Sequence, residues 1–157
     1  MEAAGQSDEH RIALEFLEHA AFDETAQENR RIFADALNRM AGGDADAFWN
    51  IFDPGVVFHE ASCLPYGGAY RGIEETKRGY MAMCASYSEM ASQQEALLAS
   101  RDMVILYQTI TFTVAANGRK GTLPVAEMFR FRDGRIVEWR ALYSDPCLVA
   151  RALAGED

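Results

Sequence analysis

The sequence predicts an α+β domain in which helices pack on one face of a curved antiparallel sheet. Helical periodicity dominates the first half of the chain, and four strand candidates follow one another from residue 90 onward. Asn-Gly at 117–118 and Asp-Gly at 133–134 are strong hairpin signals between these strands. Helices first and an antiparallel meander afterwards are typical of an α+β architecture. Helices across the concave face of such a sheet would enclose a pocket.

The first half of the chain contains three predicted core helices. They cover residues 28–40, 45–52 and 73–87, and a further helix at 8–22 is expected to be an N-terminal accessory element. Gly42 and Gly43 end the first core helix, and Asp44 is a suitable N-cap for the second. Between the second and third helices we predict a turn at 53–55, a strand at 56–60 and a loop at 64–72.

The second half is dominated by strands. The four candidates cover residues 90–99, 103–115, 120–132 and 135–143, and a short helix is expected at 147–154. The chain has no internal repeat and no low-complexity segment. Its 157 residues are enough to bury the core of one domain. We therefore predict an accessory segment at 1–27 and a single domain at 28–157.

Composition and charge exclude several classes of function. The net charge of −9 argues against nucleic acid and against anionic membrane surfaces. No apolar run approaches the length of a membrane span, and the acidic N-terminus does not resemble a signal peptide. The three cysteines are widely spaced, which favours reduced thiols in the cytoplasm. Neither the cysteines nor the three histidines show metal-ligand spacing, so no metal is expected.

A carboxylate occupies a position where an apolar residue is expected. Side chains alternate across a strand, so Glu127 shares a face of the strand at 120–132 with bulky apolar residues. These residues are Leu123, Val125, Phe129 and Phe131. An ionised carboxylate among them is costly unless it is paired, protonated or functional. The alternatives to a functional Glu127 are an ion pair with an arginine and the capping of backbone groups in a solvated cleft.

Glu60 is a second carboxylate that is expected to point inward, because it follows Val56 and Phe58 on one strand face. Two inward carboxylates in one cavity would separate their pKa values, giving one base and one acid. The alternatives are a glutamate in solvent at the strand end and an ion pair with Arg71. By the same alternation His59 faces outward and is expected to be structural.

Taken in order, several segments of the chain resemble one known family. These segments are Ala-Leu-Asn at 36–38 with Gly-Asp at 43–44, Ala-Phe-Trp-Asn-Ile-Phe at 47–52, Leu-Pro-Tyr-Gly-Gly at 64–68 with Tyr-Arg-Gly at 70–72, Glu-Met-Phe-Arg-Phe at 127–131 with Asp-Gly-Arg-Ile-Val at 133–137, and Arg-Ala-Leu-Tyr-Ser-Asp-Pro at 140–146. Over residues 28–150 the chain resembles the SnoaL-like polyketide cyclase and ketosteroid isomerase-like branch of the nuclear transport factor 2-like superfamily. The resemblance implies a cone-shaped α+β fold, a homodimer formed through the convex or edge side of its sheet, and an apolar cavity.

The resemblance also implies a set of catalytic residues. In the isomerases a carboxylate moves a proton beside a carbonyl, and a protonated carboxyl and a tyrosine bind the oxyanion. The proton-transfer position falls on Glu60 and the acid position on Glu127. The tyrosine position falls on Ala36 or Phe33, which counts against steroid isomerisation. Tyr143 and Tyr66 are the expected substitutes. The expected ligand-binding residues are Phe58, Tyr66, Phe129, Trp139, Tyr107 and Trp49, with core packing as the alternative for each.

Three hypotheses about function follow. The first is cofactor-free acid–base catalysis on a small apolar carbonyl compound, either isomerisation or aldol-type ring closure, in which Glu60 moves the proton and Glu127 stabilises the enolate. The second is a protein that binds an apolar ligand in the same pocket without catalysis. The third is a dimerisation module whose own side chains fill the cavity. A hydrolase like the epoxide hydrolases of the superfamily is less favoured, because no arginine lies beside Glu127 in Val-Ala-Glu at 125–127.

Overall fold

A computed structural model of the chain describes residues 23–156. In chain order, its helices and strands are α1 (Glu24–Ala41), α2 (Ala45–Trp49), β1 (Phe52–Glu60), β2 (Gly68–Arg71), α3 (Ile73–Ala85), β3 (Tyr87–Ser100), β4 (Met103–Val114), β5 (Lys120–Arg132), β6 (Arg135–Tyr143) and α4 (Pro146–Ala154). The helix that the sequence predicts at 8–22 lies outside the described residues. Within residues 23–156, no helix has the length and apolar character needed to cross a membrane.

The six strands form one curved, unclosed sheet in the order β2-β1-β6-β5-β4-β3. Strands β3 to β6 make the predicted antiparallel meander, and the mixed α+β class is confirmed. Strand β1 joins β6 in parallel, with Phe58 beside Trp139. The turn expected at 53–55 is an irregularity inside β1, where the pairing with β6 shifts between Phe52 and Val57. This parallel pair was not predicted because its two strands are far apart in sequence.

Two helices end earlier than the sequence predicts, because residues near their predicted ends pair with distant strands. Helix α2 ends at Trp49, and Phe52 instead opens β1 opposite Ile136. Helix α3 ends at Ala85, and Tyr87 opens β3 opposite Val114. The predicted loop at 64–72 contains the short strand β2, which pairs with β1. In each case a long-range pairing overrides the local propensity.

The helices cover the inner face of the sheet and are anchored at defined points. Helix α1 packs against β3 and β4. Its buried Phe33 lies with its ring centroid 4.4 Å from that of Phe129 on β5. The buried Asn29 side chain donates to the Arg101 carbonyl oxygen at 3.0 Å, which fixes α1 to the turn between β3 and β4. Helix α3 packs against β1 and β2, and α4 packs against β5. This arrangement leaves an open space between the helices and the sheet.

A tight turn after β1 brings Tyr66 into the interior. A Cβ atom at Gly67 would lie 2.1 Å from the Ala61 carbonyl oxygen, so the turn has no room for any other residue. Tyr66 is buried, and its carbonyl oxygen accepts a hydrogen bond from the Tyr70 hydroxyl at 2.6 Å. The glycine-rich segment therefore holds a tyrosine against the inner face of the sheet.

Candidate functional site

A cavity of about 400 Å³ lies between the helices and the inner face of the sheet. Much of its wall is apolar, and it includes Phe33, Phe48, Leu106, Ile110, Leu123 and Phe129. A pocket of this size and character suits a small, largely apolar molecule. The cavity also exposes a small number of polar groups, and these decide what the site is able to do.

Glu127 on β5 is the carboxyl group that opens into the cavity. Its flanking residues on the inner face, Val125 and Phe129, are buried. The carboxylate accepts a hydrogen bond from the Trp139 indole nitrogen at 2.5 Å. Desolvation by the surrounding protein raises the pKa of Glu127 to about 7, and the Trp139 hydrogen bond opposes this rise. A group with this pKa exchanges protons readily near neutral pH.

Glu60 lies at the end of β1, and its side chain is buried behind the wall of the cavity. Its carboxyl oxygens accept hydrogen bonds from the Tyr143 hydroxyl at 3.2 Å and from the Ala61 backbone nitrogen at 3.3 Å. Burial and the charge of Glu127 raise the pKa of Glu60 to about 8, and the two hydrogen bonds oppose this rise. Glu60 is therefore connected to the cavity by its hydrogen bond with Tyr143, which lines the cavity wall.

Three tyrosines extend this contact into a chain of hydroxyl groups. The Tyr66 and Tyr87 hydroxyl oxygens lie 2.6 Å apart. Tyr66 also shares a hydrogen bond with Tyr143, which in turn donates to Glu60. Desolvation raises the pKa of all three phenols, so they stay protonated at neutral pH. These hydroxyl groups connect Tyr87 in the cavity wall to the Glu60 carboxyl, which holds a proton at neutral pH.

At a pH midway between their two pKa values, Glu127 and Glu60 together carry about one negative charge. The pKa of Glu127 is the lower of the two, and its charge is one cause of the higher pKa of Glu60. Mutual repulsion of this kind separates the titrations of two carboxyls that share a site. Between the two values, the lower pKa of Glu127 favours an ionised Glu127 facing the ligand space and a neutral Glu60 behind Tyr143.

Of the residues that the sequence singled out, the structure brings five to the cavity wall. These are Tyr66, Glu127, Phe129, Trp139 and Tyr143. Glu60 contacts this group from behind rather than from the cavity. Tyr143 was expected to accompany Glu127 as an oxyanion donor, but its hydroxyl donates to Glu60 instead.

Three expected ligand-binding residues are absent from the described wall of the cavity. Phe58 points inward but is covered by Trp139, whose ring stacks on it at 4.1 Å. Trp49 ends α2 and packs edge-on against Phe48 and Tyr80. Tyr107 lies on the outer face of the sheet and is 38% exposed, because strand alternation turns its neighbours in β4 inward.

Ion pairs were among the alternatives to a functional role for the two carboxyls. In the part of the chain that the structure describes, Glu127 makes no ion pair with an arginine and Glu60 makes none with Arg71. His59 faces outward as predicted, and its Nε2 atom lies 3.4 Å from the Glu138 carboxylate. Among the described residues, no group of three or more His, Cys, Asp or Glu side chains is placed to hold a metal ion.

Sequence reasoning missed three buried or half-buried polar residues in the described cavity wall, namely Tyr80, Tyr87 and Gln108. Tyr80 stands on α3, makes a hydrogen bond with Cys84 and has a pKa of about 12, raised mainly by desolvation. The tyrosines expected at the site lie on strands and in the loop at 64–72, so a tyrosine on this helix was missed. Gln108 could have been found by applying strand alternation to β4, which places it on the same face as Val104 and Leu106.

Known proteins of similar sequence or structure share the fold of this chain. The SnoaL-like domain family matches residues 15–139. An NTF2-like protein from Burkholderia thailandensis is 25% identical, with a TM-score of 0.72 over 80% of this chain and 96% of that one. A candidate SnoaL-like polyketide cyclase from Jannaschia is 17% identical, with a TM-score of 0.68 over 86% and 97%. A candidate isomerase from Rhodopseudomonas palustris is 19% identical, with a TM-score of 0.61 over 80% and 96%.

Among curated proteins, none matches the sequence significantly. The family match nevertheless spans most of the chain, and the mixed α+β fold with its curved, unclosed sheet agrees with it. Family and cavity together support a small-molecule-binding domain. The chain belongs to the SnoaL-like domain family of the nuclear transport factor 2-like superfamily.

Proposed function

We propose that the protein carries out cofactor-free acid–base catalysis on a small apolar carbonyl compound, through an enolate. One observation carries the proposal, namely that a carboxyl group with a pKa of about 7 opens into an otherwise apolar cavity. Placing such a group in an apolar wall lowers the stability of the fold. A carboxyl that is kept there in spite of this cost is a candidate acid or base. Isomerisation and aldol-type ring closure both begin with the proton transfer that this group suits.

In the proposed reaction Glu127 touches the substrate. Its carboxylate removes a proton from the carbon beside the carbonyl, leaving a neutral carboxyl and an enolate. In an isomerisation the carboxyl returns that proton to a different carbon. In a ring closure the enolate carbon attacks a second carbonyl, and the proton goes to the new alkoxide. In both cases the protein neither gains nor loses a proton over one cycle, because Glu127 ends as a carboxylate.

Glu60 has a different role from the one that the sequence suggested. Because it lies behind Tyr143, it is a positioning residue that orients the tyrosine hydroxyl and holds a proton close to the cavity. Its higher pKa keeps it neutral while Glu127 is ionised. The proposed base is therefore Glu127 and the proposed proton reserve is Glu60, the reverse of the expected assignment.

The competing proposal is an apolar-ligand carrier without catalysis. The carrier proposal is favoured by the Trp139 indole, which donates a hydrogen bond to one oxygen of the Glu127 carboxylate without any ligand. A carrier would bind a carbonyl compound and release it unchanged.

Proton exchange separates the two proposals without requiring the natural substrate. We expect the protein to catalyse exchange of the C1 protons of 2-tetralone in D₂O, followed by proton NMR, at least about 100-fold faster than buffer. Tetralin has nearly the same shape but no carbonyl, so it should compete for the cavity and suppress this exchange. Binding of 2-tetralone with exchange at the buffer rate, or exchange that tetralin leaves unchanged, would count against catalysis in the cavity.

A further inference from the structure

The side chain of Gln108 is a polar group in the cavity wall that has no partner among the described residues. Gln108 lies on β4, lines the cavity and is 7% exposed. Within residues 23–156 its amide makes no hydrogen bond. Among the described residues, the one buried side-chain polar atom without a partner is Thr76 Oγ1, so the Gln108 amide is still accessible from the cavity. Enclosed polar groups in native proteins are almost always hydrogen-bonded to protein or to water, so an amide left open to a cavity points to a partner that occupies the cavity.

The other buried or half-buried donors in the described wall are already engaged. The Trp139 indole donates to Glu127, and Tyr80 is hydrogen-bonded to Cys84. The remaining three donors are Tyr66, Tyr87 and Tyr143, whose hydroxyls form the chain that ends at Glu60. Three hydroxyl hydrogens are enough for the three contacts of this chain. Gln108 is therefore the donor in the enclosed part of the described wall that is left for a ligand.

The sheet register places Gln108 close to the proposed base. Gln108 lies opposite Val125, and Leu106 lies opposite Glu127. Gln108 is thus a diagonal neighbour of Glu127 on the inner face, at about 7 Å between backbones. Tyr143 lies opposite Val125 on the other side. Val125 itself is buried in the core, whereas Gln108 and Glu127 both line the cavity, so a ligand at this part of the wall would lie beside both side chains.

From this geometry we infer that the Gln108 side-chain amide donates a hydrogen bond to an acceptor oxygen of the ligand. The ligand class is then an apolar compound with a carbonyl oxygen near the carbon that Glu127 addresses. The inference deepens the proposed function, on which its catalytic meaning rests, because this oxygen is the atom where enolate charge develops. Gln108 would thus supply the hydrogen bond to the oxyanion that the resemblance assigns to a tyrosine on helix α1, since α1 contains no tyrosine. Gln94, the cross-strand neighbour of Gln108, also lines the cavity but is exposed.

A pair of probes with matched shapes tests the inference by binding alone. The carbonyl probe is 2-acetylnaphthalene, whose oxygen only accepts hydrogen bonds, and the reference is 2-isopropenylnaphthalene, in which a CH₂ group replaces that oxygen. Trp139 lines the cavity, so its fluorescence reports binding of either probe. We expect Gln108→Leu to weaken the affinity for the carbonyl probe about tenfold relative to wild type and to leave the affinity for the reference probe unchanged or improved.

The matched control is Gln93→Leu, which removes an exposed amide from β3, and it should change neither affinity. Gln108→Met is a second variant of similar size, and its affinities should follow those of Gln108→Leu. Equal weakening of both probes, an unchanged preference for the carbonyl probe, or failure of both probes to bind the wild-type protein would overturn the inference. Because no turnover is measured, absent proton exchange together with a Gln108-dependent carbonyl preference would contradict the proposed catalysis alone.

Discussion

The Glu127→Gln variant should lose proton exchange on 2-tetralone by about 100-fold to 10,000-fold, the range typical of a positioned general base. The amide has nearly the same shape as the carboxyl but takes up no proton at neutral pH. It can still accept the hydrogen bond from the Trp139 indole, so the wall of the cavity should be preserved. Binding of tetralin, which has no carbonyl, should therefore change little, and exchange is the quantity to measure by proton NMR.

The matched control for this prediction is Glu138→Gln. Glu138 lies on the neighbouring strand β6, but its carboxylate faces outward and contacts His59 and Arg140. Its replacement alters a partly exposed ion-pair network and should leave exchange within about twofold of wild type, since such surface pairs contribute little. Equal losses in the two variants would indicate a general effect on the fold. An undiminished rate in Glu127→Gln would remove Glu127 from the mechanism.

The stability of the protein should fall as pH rises from about 4.5 to about 8. Glu60 and Glu127 have an ordinary pKa of 4.5, which the folded protein raises to about 8 and about 7. The folded state therefore binds more protons than the unfolded state across this window, and stability declines until both groups are ionised. For Glu127 alone the loss is about 3 kcal/mol in the free energy of unfolding.

Urea unfolding at pH 5 and at pH 8.5 measures this loss, and the Glu60→Gln/Glu127→Gln double variant isolates it. The double variant should lie within about 2 kcal/mol of wild type at pH 5, where both carboxyls are still neutral in the folded protein, and it should be several kcal/mol more stable than wild type at pH 8.5. Both residues are replaced because removing the charge of Glu127 alone would also lower the pKa of Glu60. Parallel stability curves for wild type and double variant would show that neither carboxyl is perturbed by the fold.

The predicted loss of proton exchange and the predicted gain in stability both follow from the buried carboxyl of Glu127. The carboxyl that makes the cavity reactive also lowers the stability of the folded protein above neutral pH. Stability that improves when a polar residue is removed from an apolar site is the usual sign of a residue kept for function. The pair of variants thus separates a functional Glu127 from one that merely packs.

Local patterns predicted the meander and its most informative residue. Strands β5 and β6 have the bounds that the sequence suggested, because the turn between them is Asp-Gly and the buried apolar residues of β5 lie on one face of the strand. The same alternation placed Glu127 on the inner face, and the structure has it there. Predictions of this kind succeed where one strand and its own turn contain all the information.

The remaining features depend on contacts between distant segments. Strand β1 pairs in parallel with β6, and this pairing, with the turn at Gly67, sets Glu60 behind Tyr143. No local pattern distinguishes a carboxyl that lines a cavity from one that lies behind its wall. Tyr107 was a different kind of miss, because consistent use of alternation in β4 would have turned it outward and Gln108 inward.

Direct titration of the two carboxyls tests the central claim, that a carboxyl with a near-neutral pKa faces an apolar cavity. Carbon-13 NMR of protein labelled at the glutamate carboxyl carbons reports each titration, and Glu127→Gln and Glu60→Gln assign the two signals. We expect one carboxyl to titrate near pH 7 and disappear from the spectrum of Glu127→Gln, and another to titrate near pH 8 and disappear from that of Glu60→Gln. Titration of both groups close to their ordinary pKa of 4.5 would contradict the account.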